Sequence, residues 1–131
     1  MRIAMVAALV LAGGAAGADP AAIRATIDGQ MDAFRAGDVD GAFGYAAPGI
    51  VGMFRTPDTF GEMVRRGYPM VWRPGSVEYL GVEEAGGAWT QDVLVTDAAG
   101  RLFTLEYTMV ETAAGWRIAG VRLLDAGDVG A

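Results

Sequence analysis

Apolar residues recur at helical spacing near the start of the chain. Between residues 23 and 34 they are separated by three or four positions, as on one side of an amphipathic helix. These positions are Ile23, Ile27, Met31 and Phe34. Asp19 is a suitable N-cap ahead of Pro20, and Gly37 is a suitable residue just beyond the end of a helix. The pattern therefore predicts a first helix between residues 20 and 36.

Two further helices are predicted before residue 70. Asp38 can cap a short helix that runs towards Ala46. Thr56 followed by Pro57 marks the start of another helix, which ends at Gly67. Residues 50–54 (IVGMF) lie between these helices and predict a brief strand or a buried turn. Residues 68–74 read as an aromatic linker bracketed by prolines.

From residue 76 onwards the hydrophobic period changes to two. Residues 76–84, 89–97, 102–111 and 116–124 alternate between apolar and polar side chains, which is typical of strands. The three connections are short and contain glycine, so the strands should form an antiparallel meander. Helices followed by such a sheet predict an α+β fold in which helices cover one face of about four strands.

The first eighteen residues have the features of a secretory signal peptide. A basic start at Arg2 precedes an apolar run over residues 3–12, and residues 16–18 (AGA) suit a signal peptidase. The run is shorter than the roughly 20 residues needed to cross a bilayer. We therefore expect cleavage after Ala18, a single mature domain at residues 19–131, and a periplasmic or secreted location without a stable membrane anchor.

Composition removes several kinds of chemistry. The chain has no cysteine and no histidine, and all of its basic residues are arginine. Nucleophile systems that use a histidine base, Schiff-base lysines and zinc sites built on His or Cys are therefore absent. The formal net charge of −6 argues against nucleic acid as a partner. No motif indicates a cofactor.

Five residues are candidates for lining a ligand cavity. Helical geometry places Gln30 close to the apolar stripe, and strand alternation places the other four on the predicted inner face of the sheet. The candidates are Gln30, Gln91, Tyr107, Trp116 and Arg122. A bulge in the last strand would turn Arg122 outwards. Each polar group could equally be satisfied by the protein itself, or reach water at the edge of the sheet.

Several segments resemble known proteins. They are residues 30–34 (QMDAF), 45–48 (YAAP), 60–68 (FGEMVRRGY), 107–109 (YTM) and 115–118 (GWRI). Their order is similar to that in a bacterial exported family known as domain-of-unknown-function family 4864. The arrangement of helices and strands resembles the cone-shaped fold of nuclear transport factor 2-like proteins. The resemblance implies a strongly curved sheet with a cavity between sheet and helices, and it implies no activity, because that fold hosts both enzymes and binding modules.

Three functions are compatible with these observations. The first is a non-catalytic domain that binds a small amphipathic or anionic ligand, with Arg122 supplying charge. The second is an isomerase-, cyclase- or dehydratase-like enzyme with Tyr107 as acid and Asp32 or Glu106 as base. The third is an interaction module in which the outer face of the sheet, with Thr104, Glu106 and Thr108, forms an interface with a second copy or with another partner.

Overall fold

The computed structural model describes residues 18–124, and the predicted signal peptide lies outside this range except for Ala18. Residues 18–124 contain five helices, followed by four strands. The helices are α1 (Pro20–Arg35), α2 (Val39–Phe43), α3 (Pro48–Phe54), α4 (Pro57–Gly67) and α5 (Pro69–Trp72). The strands are β1 (Ser76–Ala85), β2 (Ala88–Thr96), β3 (Leu102–Thr112) and β4 (Gly115–Leu124). The predicted α+β class is confirmed.

Local signals in the sequence fix the helix ends. The side chains of Asp19, Asp38 and Thr56 accept hydrogen bonds from backbone amides in the first turns of α1, α2 and α4. Beyond α1, Gly37 adopts φ 74°, a left-handed conformation that glycine reaches without steric cost. These ends agree with the predicted caps and stop.

The strands form one antiparallel sheet in the order β1-β2-β3-β4, which confirms the predicted meander. The sheet is neither closed nor strongly curled, so the strong curvature expected from the family resemblance is not confirmed. Helices pack on one face, here called the inner face. The opposite face is called the outer face.

The core lies between α1 and the inner face. Alternation along β2 and β3 was predicted correctly, since Val93, Leu105, Tyr107 and Met109 are all fully buried. Ile23, Ile27, Met31 and Phe34 of α1 are buried as well. The hydrophobic pattern therefore identifies most of the contact between the first helix and the sheet.

The prediction for residues 50–54 is wrong, because this segment belongs to helix α3. Pro48 occupies the first turn of α3, where its missing amide hydrogen costs nothing. No residue of α3 is buried, although Ile50 and Phe54 pack against the core. The short apolar run is thus a partly exposed helical wall rather than a buried strand.

Two irregularities interrupt the sheet. The pairing of β1 with β2 shifts between Tyr79 and Val82, and the pairing of β3 with β4 shifts at Ala119. At the second site Thr108 pairs with Gly120 and Met109 pairs with Ile118, so Ala119 is the additional residue of a β-bulge. The bulge decides which residues of β4 face the helices.

Candidate functional site

A cavity of about 370 Å³ lies between the helices and the inner face at β3 and β4. Most of its wall residues are apolar. They come from every helix except α2, from the segment before α3, and from strands β3 and β4. The wall consists of Gln30, Phe34, Ala46, Ile50, Met53, Phe54, Phe60, Met63, Val64, Tyr68, Val71, Tyr107, Ile118, Ala119, Gly120 and Val121. None of these residues, all of which lie in the described part of the chain, is charged. The volume of the cavity falls within the range of small-molecule sites.

Tyr107 is a polar residue of the wall with an unsatisfied group. It lies at the centre of β3, its side chain is 0% exposed, and its hydroxyl has no hydrogen-bond partner among residues 18–124. Burial, and to a smaller extent the nearby Tyr68, raise the pKa of the Tyr107 phenol. The phenol therefore stays protonated at neutral pH and is able to donate a hydrogen bond.

Gln30 connects the cavity to the packing of the helices. It faces inwards from α1 and is buried, as its position near the apolar stripe predicts. Its Nε2 donates to the backbone oxygen of Ala42 in α2 at 3.2 Å. The side chain thus has a structural partner and also belongs to the cavity wall.

Tyr68 is a wall residue that the sequence analysis assigned to an aromatic linker. Its hydroxyl donates to the backbone oxygen of Val121 at 3.3 Å, which joins the start of α5 to β4 across the cavity. The sequence gives no direct signal for this contact, because residues 68 and 121 are far apart in the chain.

Gln91 lies outside the cavity wall. It is fully buried on β2, beside the bulge of β1, and its Nε2 donates to the backbone oxygens of Leu80, Gly81 and Asp92 at 2.9–3.3 Å. The bulge leaves carbonyl groups without strand partners, and the Gln91 amide supplies a donor to them. The structure therefore places Gln91 in a backbone-bracing role.

Trp116 is buried at the start of β4 and is also not part of the cavity wall. Its backbone oxygen accepts a hydrogen bond from the Thr26 hydroxyl of α1 at 3.4 Å. The indole therefore contributes to the core rather than to the cavity.

Arg122 lies on the outer face, which corrects its expected position in the cavity. The bulge at Ala119 shifts the alternation of β4 by one residue, so Val121 faces the cavity and Arg122 faces away from the helices. The Arg122 side chain is 65% exposed, and its Nε donates to Glu106 Oε1 at 2.8 Å. No charge from Arg122 reaches the cavity.

The two carboxylates considered as bases also lie away from the cavity wall. Asp32 is exposed on α1 and accepts a hydrogen bond from Arg35 at 2.8 Å, while Glu106 is held by Arg122. Within residues 18–124 no cluster of three or more His, Cys, Asp or Glu residues has the geometry of a metal site. The cavity can thus offer an apolar surface, one amide and two phenols, of which the Tyr68 phenol already donates to Val121.

The outer face carries the residues considered for an interface. Thr104 is buried, whereas Glu106 and Thr108 are half-buried, and Leu102 at the start of β3 is 66% exposed. Asp92, Glu106 and Arg122 are paired across three neighbouring strands. Burial, and then the nearby Glu106 and Glu83, raise the pKa of Asp92.

Comparisons with known proteins bear on the family of the chain. Between residues 18 and 124 no helix combines the length and hydrophobicity needed to cross a membrane. A comparison with curated proteins gives no match. The family model described as "Domain of unknown function (DUF4864)" matches residues 16–131, which include every described helix and strand. On that match, the chain belongs to this family.

Proposed function

We propose that the domain binds a small, largely apolar molecule that carries a hydrogen-bond acceptor, and that binding takes place in the cavity of about 370 Å³. The observation that carries the proposal is the Tyr107 hydroxyl, which is buried in the wall without a partner among residues 18–124. An unsatisfied buried hydroxyl costs about 1–3 kcal/mol, and an acceptor on a ligand would recover part of that cost.

The charge of the wall favours a neutral ligand. An anionic ligand was expected only on account of Arg122, which lies on the outer face. Transfer of an isolated anion into an apolar cavity is unfavourable. Gln30 provides a second polar group at the wall, so a ketone, ester or alcohol with an aliphatic or aromatic body suits the cavity better than a carboxylate.

The proposal also includes export of the protein and a relationship to nuclear transport factor 2-like proteins. The signal-peptide pattern of residues 1–18 supports a periplasmic or secreted binding domain. Helices on one face of an antiparallel sheet, with a cavity between them, support a relationship to nuclear transport factor 2-like proteins. On this proposal, the open sheet would be a flatter variant of that cone.

The proposal is tested with two probes that differ in one acceptor. The ketone 2-acetylnaphthalene and the hydrocarbon 2-ethylnaphthalene have similar shapes, and binding is followed by isothermal titration calorimetry. We expect the wild-type protein to prefer the ketone by up to about tenfold, and Tyr107→Phe to remove that preference. The half-buried Tyr45, which is not part of the wall, provides the control variant Tyr45→Phe.

Native mass spectrometry of residues 19–131, recovered from the producing cells, complements the titration. A bound neutral molecule that is lost on denaturation would support the proposal. Absence of any bound mass, together with no heat from either probe, would refute it. A ketone preference that persists in Tyr107→Phe would remove Tyr107 from the site.

A second proposal is a homodimer through the outer face. Asp92, Glu106 and Arg122 form a row across three strands, with carboxylates at one end and a guanidinium at the other. A two-fold axis near Glu106 would place Arg122 of each copy opposite Asp92 of the other. The exposed Leu80 and Leu102 add apolar surface. Sedimentation velocity should give a dimer that Leu102→Asp weakens, and a wild-type monomer at high concentration would exclude this interface.

A further inference from the structure

A second concave site lies on the other side of helix α5. This groove, with a volume of about 240 Å³, is formed by α5 and by the turn between β2 and β3. Its lining residues include Arg73, Arg101, Asp97, Met70 and Phe103. Unlike the cavity wall, the groove is lined by two arginines as well as by apolar residues.

Arg73 is held in place by the end of the first helix. Its Nη1 donates to the backbone oxygen of Phe34 at 2.8 Å and to that of Trp72 at 3.2 Å. The guanidinium carbon lies 5.7 Å from the centre of the Trp72 ring, within the distance of a cation–π contact. These contacts use Nη1, and among residues 18–124 no acceptor binds Nε or Nη2.

Arg101 is held by the turn between β2 and β3. Its Nε donates to Asp97 Oδ2 at 2.8 Å, and its guanidinium carbon lies 5.9 Å from the centre of the Phe103 ring. Within the described chain neither Nη atom has an acceptor. Both arginines therefore have unused donors that can form the paired hydrogen bonds that oxyanions accept.

Asp97 does not cancel both positive charges. Its Oδ1 accepts hydrogen bonds from the backbone amides of Ala99 and Arg101, each at 2.9 Å. These bonds, chiefly the one from the Arg101 amide, and the Arg101 side chain hold the pKa of Asp97 below its usual value. With one carboxylate and two arginines among its lining residues, the groove has a formal net charge of about +1 in an acidic chain.

We infer that this groove binds a small organic oxyanion, a carboxylate or a phosphate monoester, between the guanidinium groups of Arg73 and Arg101, with its apolar part on Phe103 and Met70. Half-buried Phe103 and buried Met70 offer the apolar surface. The site shares no residue with the wall of the larger cavity. The inference therefore stands or falls independently of the proposed function.

The test is a titration of the full domain with benzoate and with phenyl phosphate at constant ionic strength. Binding is measured from ¹H–¹⁵N correlation spectra recorded at each probe concentration. We expect saturable shifts at the amides of Ala99, Arg101 and Phe103 and at the arginine side chains of the groove. Arg73→Gln and Arg101→Gln should each weaken binding about tenfold, as expected for loss of charged hydrogen bonds.

Arg65→Gln provides the matched control, because Arg65 is an exposed arginine on α4 that pairs with Glu62. It should bind both probes as the wild type does, and the spectra report directly whether each variant is folded. Saturable binding of either probe that both groove variants weaken supports the site. Shifts that stay linear with probe concentration, or that are equal in all three variants, overturn it.

Discussion

The sequence predicts the position of Tyr107 in its strand, but it does not predict whether the Tyr107 hydroxyl has a hydrogen-bond partner. Alternation along residues 102–111 places the side chain on the inner face, and the structure confirms its burial. Whether the hydroxyl has a partner depends on residues from other elements, such as Tyr68, whose own hydroxyl bonds to Val121 instead. Such a tertiary property is invisible to a periodicity argument.

Removal of this hydroxyl should stabilise the protein. Tyr107→Phe keeps the ring and deletes a buried group without a partner, so we expect the free energy of unfolding to rise by up to about 1 kcal/mol in urea titrations. Tyr68→Phe is the control and should lower it by about 1 kcal/mol, because it removes the bond to Val121. A less stable Tyr107→Phe protein would mean that the hydroxyl is satisfied.

The raised pKa of Tyr107 also predicts a loss of stability at alkaline pH. In the unfolded chain the phenol ionises near pH 10, whereas in the folded domain it stays protonated to higher pH. Below about pH 10 the phenol is protonated in both states, and above it the unfolded chain loses the proton first, so stability falls as the pH rises towards the folded-state pKa. Urea unfolding at about pH 8 and pH 11 should show a larger decrease for the wild type than for Tyr107→Phe, and equal decreases would contradict this assignment.

Arg122 shows the limit of alternation as a guide to a site. The alternation of residues 116–122 is unambiguous if the strand is regular, and it places Arg122 with Trp116. One additional residue, Ala119, reverses the orientation of everything that follows. A bulge has no strong signature here, because alanine fits many strand positions.

At the scale of elements, the bulge gives a direct test. Deletion of Ala119 would make the Met109–Ile118 and Thr108–Gly120 pairs consecutive, so regular pairing would keep Arg122 beside Glu106 on the outer face. Because no charge becomes buried, the free energy of unfolding should fall by well under the about 3 kcal/mol that a buried charge without a partner costs. Urea unfolding measures the change, and a loss of about 3 kcal/mol or more that Arg122→Val partly recovers would mean that the shortened strand pairs with Arg122 on the inner face.

Helix boundaries were predictable wherever a side chain caps the first turn, as at Asp19, Asp38 and Thr56. Helix α3 was not, because its N-cap position, Ala47, has no side-chain hydrogen bond. Its apolar run has no strong helical period within five residues, so length alone suggested a strand or turn. The missed helix forms part of the cavity wall.

Helix packing predicts opposite effects at two helical glycines. A Cβ atom on Gly61 of α4 would lie 2.5 Å from Val39 Cγ1 of α2, whereas a Cβ atom on Gly52 of α3 would meet nothing within 4 Å. Gly61→Ala should therefore destabilise by about 1–3 kcal/mol, and Gly52→Ala should stabilise by about 0.5–1 kcal/mol. Thermal unfolding of both variants measures this, and stabilisation by Gly61→Ala would show that α2 and α4 adjust easily.

For the whole molecule, composition and period predicted the class, the strand order and most of the core. They did not predict the cavity wall, since its residues come from α1, the segments around α3, α4 and α5, and two strands. Of the five expected wall residues, Gln30 and Tyr107 lie at the cavity. Gln91, Trp116 and Arg122 are placed elsewhere by two bulges and by core packing, which arise from the assembled sheet.

Helix α3 has a consequence for the kinetics of any molecule in the cavity. It supplies Ile50, Met53 and Phe54 to the wall, yet all of its residues are at least partly exposed and Met53 is 68% exposed. Because none of its residues is buried, its detachment would expose less apolar surface than detachment of α1 or α4, so this wall can open by local unfolding while the sheet stays intact. Residence time in the cavity would then follow the opening of α3, and amide exchange in α3 should be faster than in β3 and should slow when the cavity is occupied.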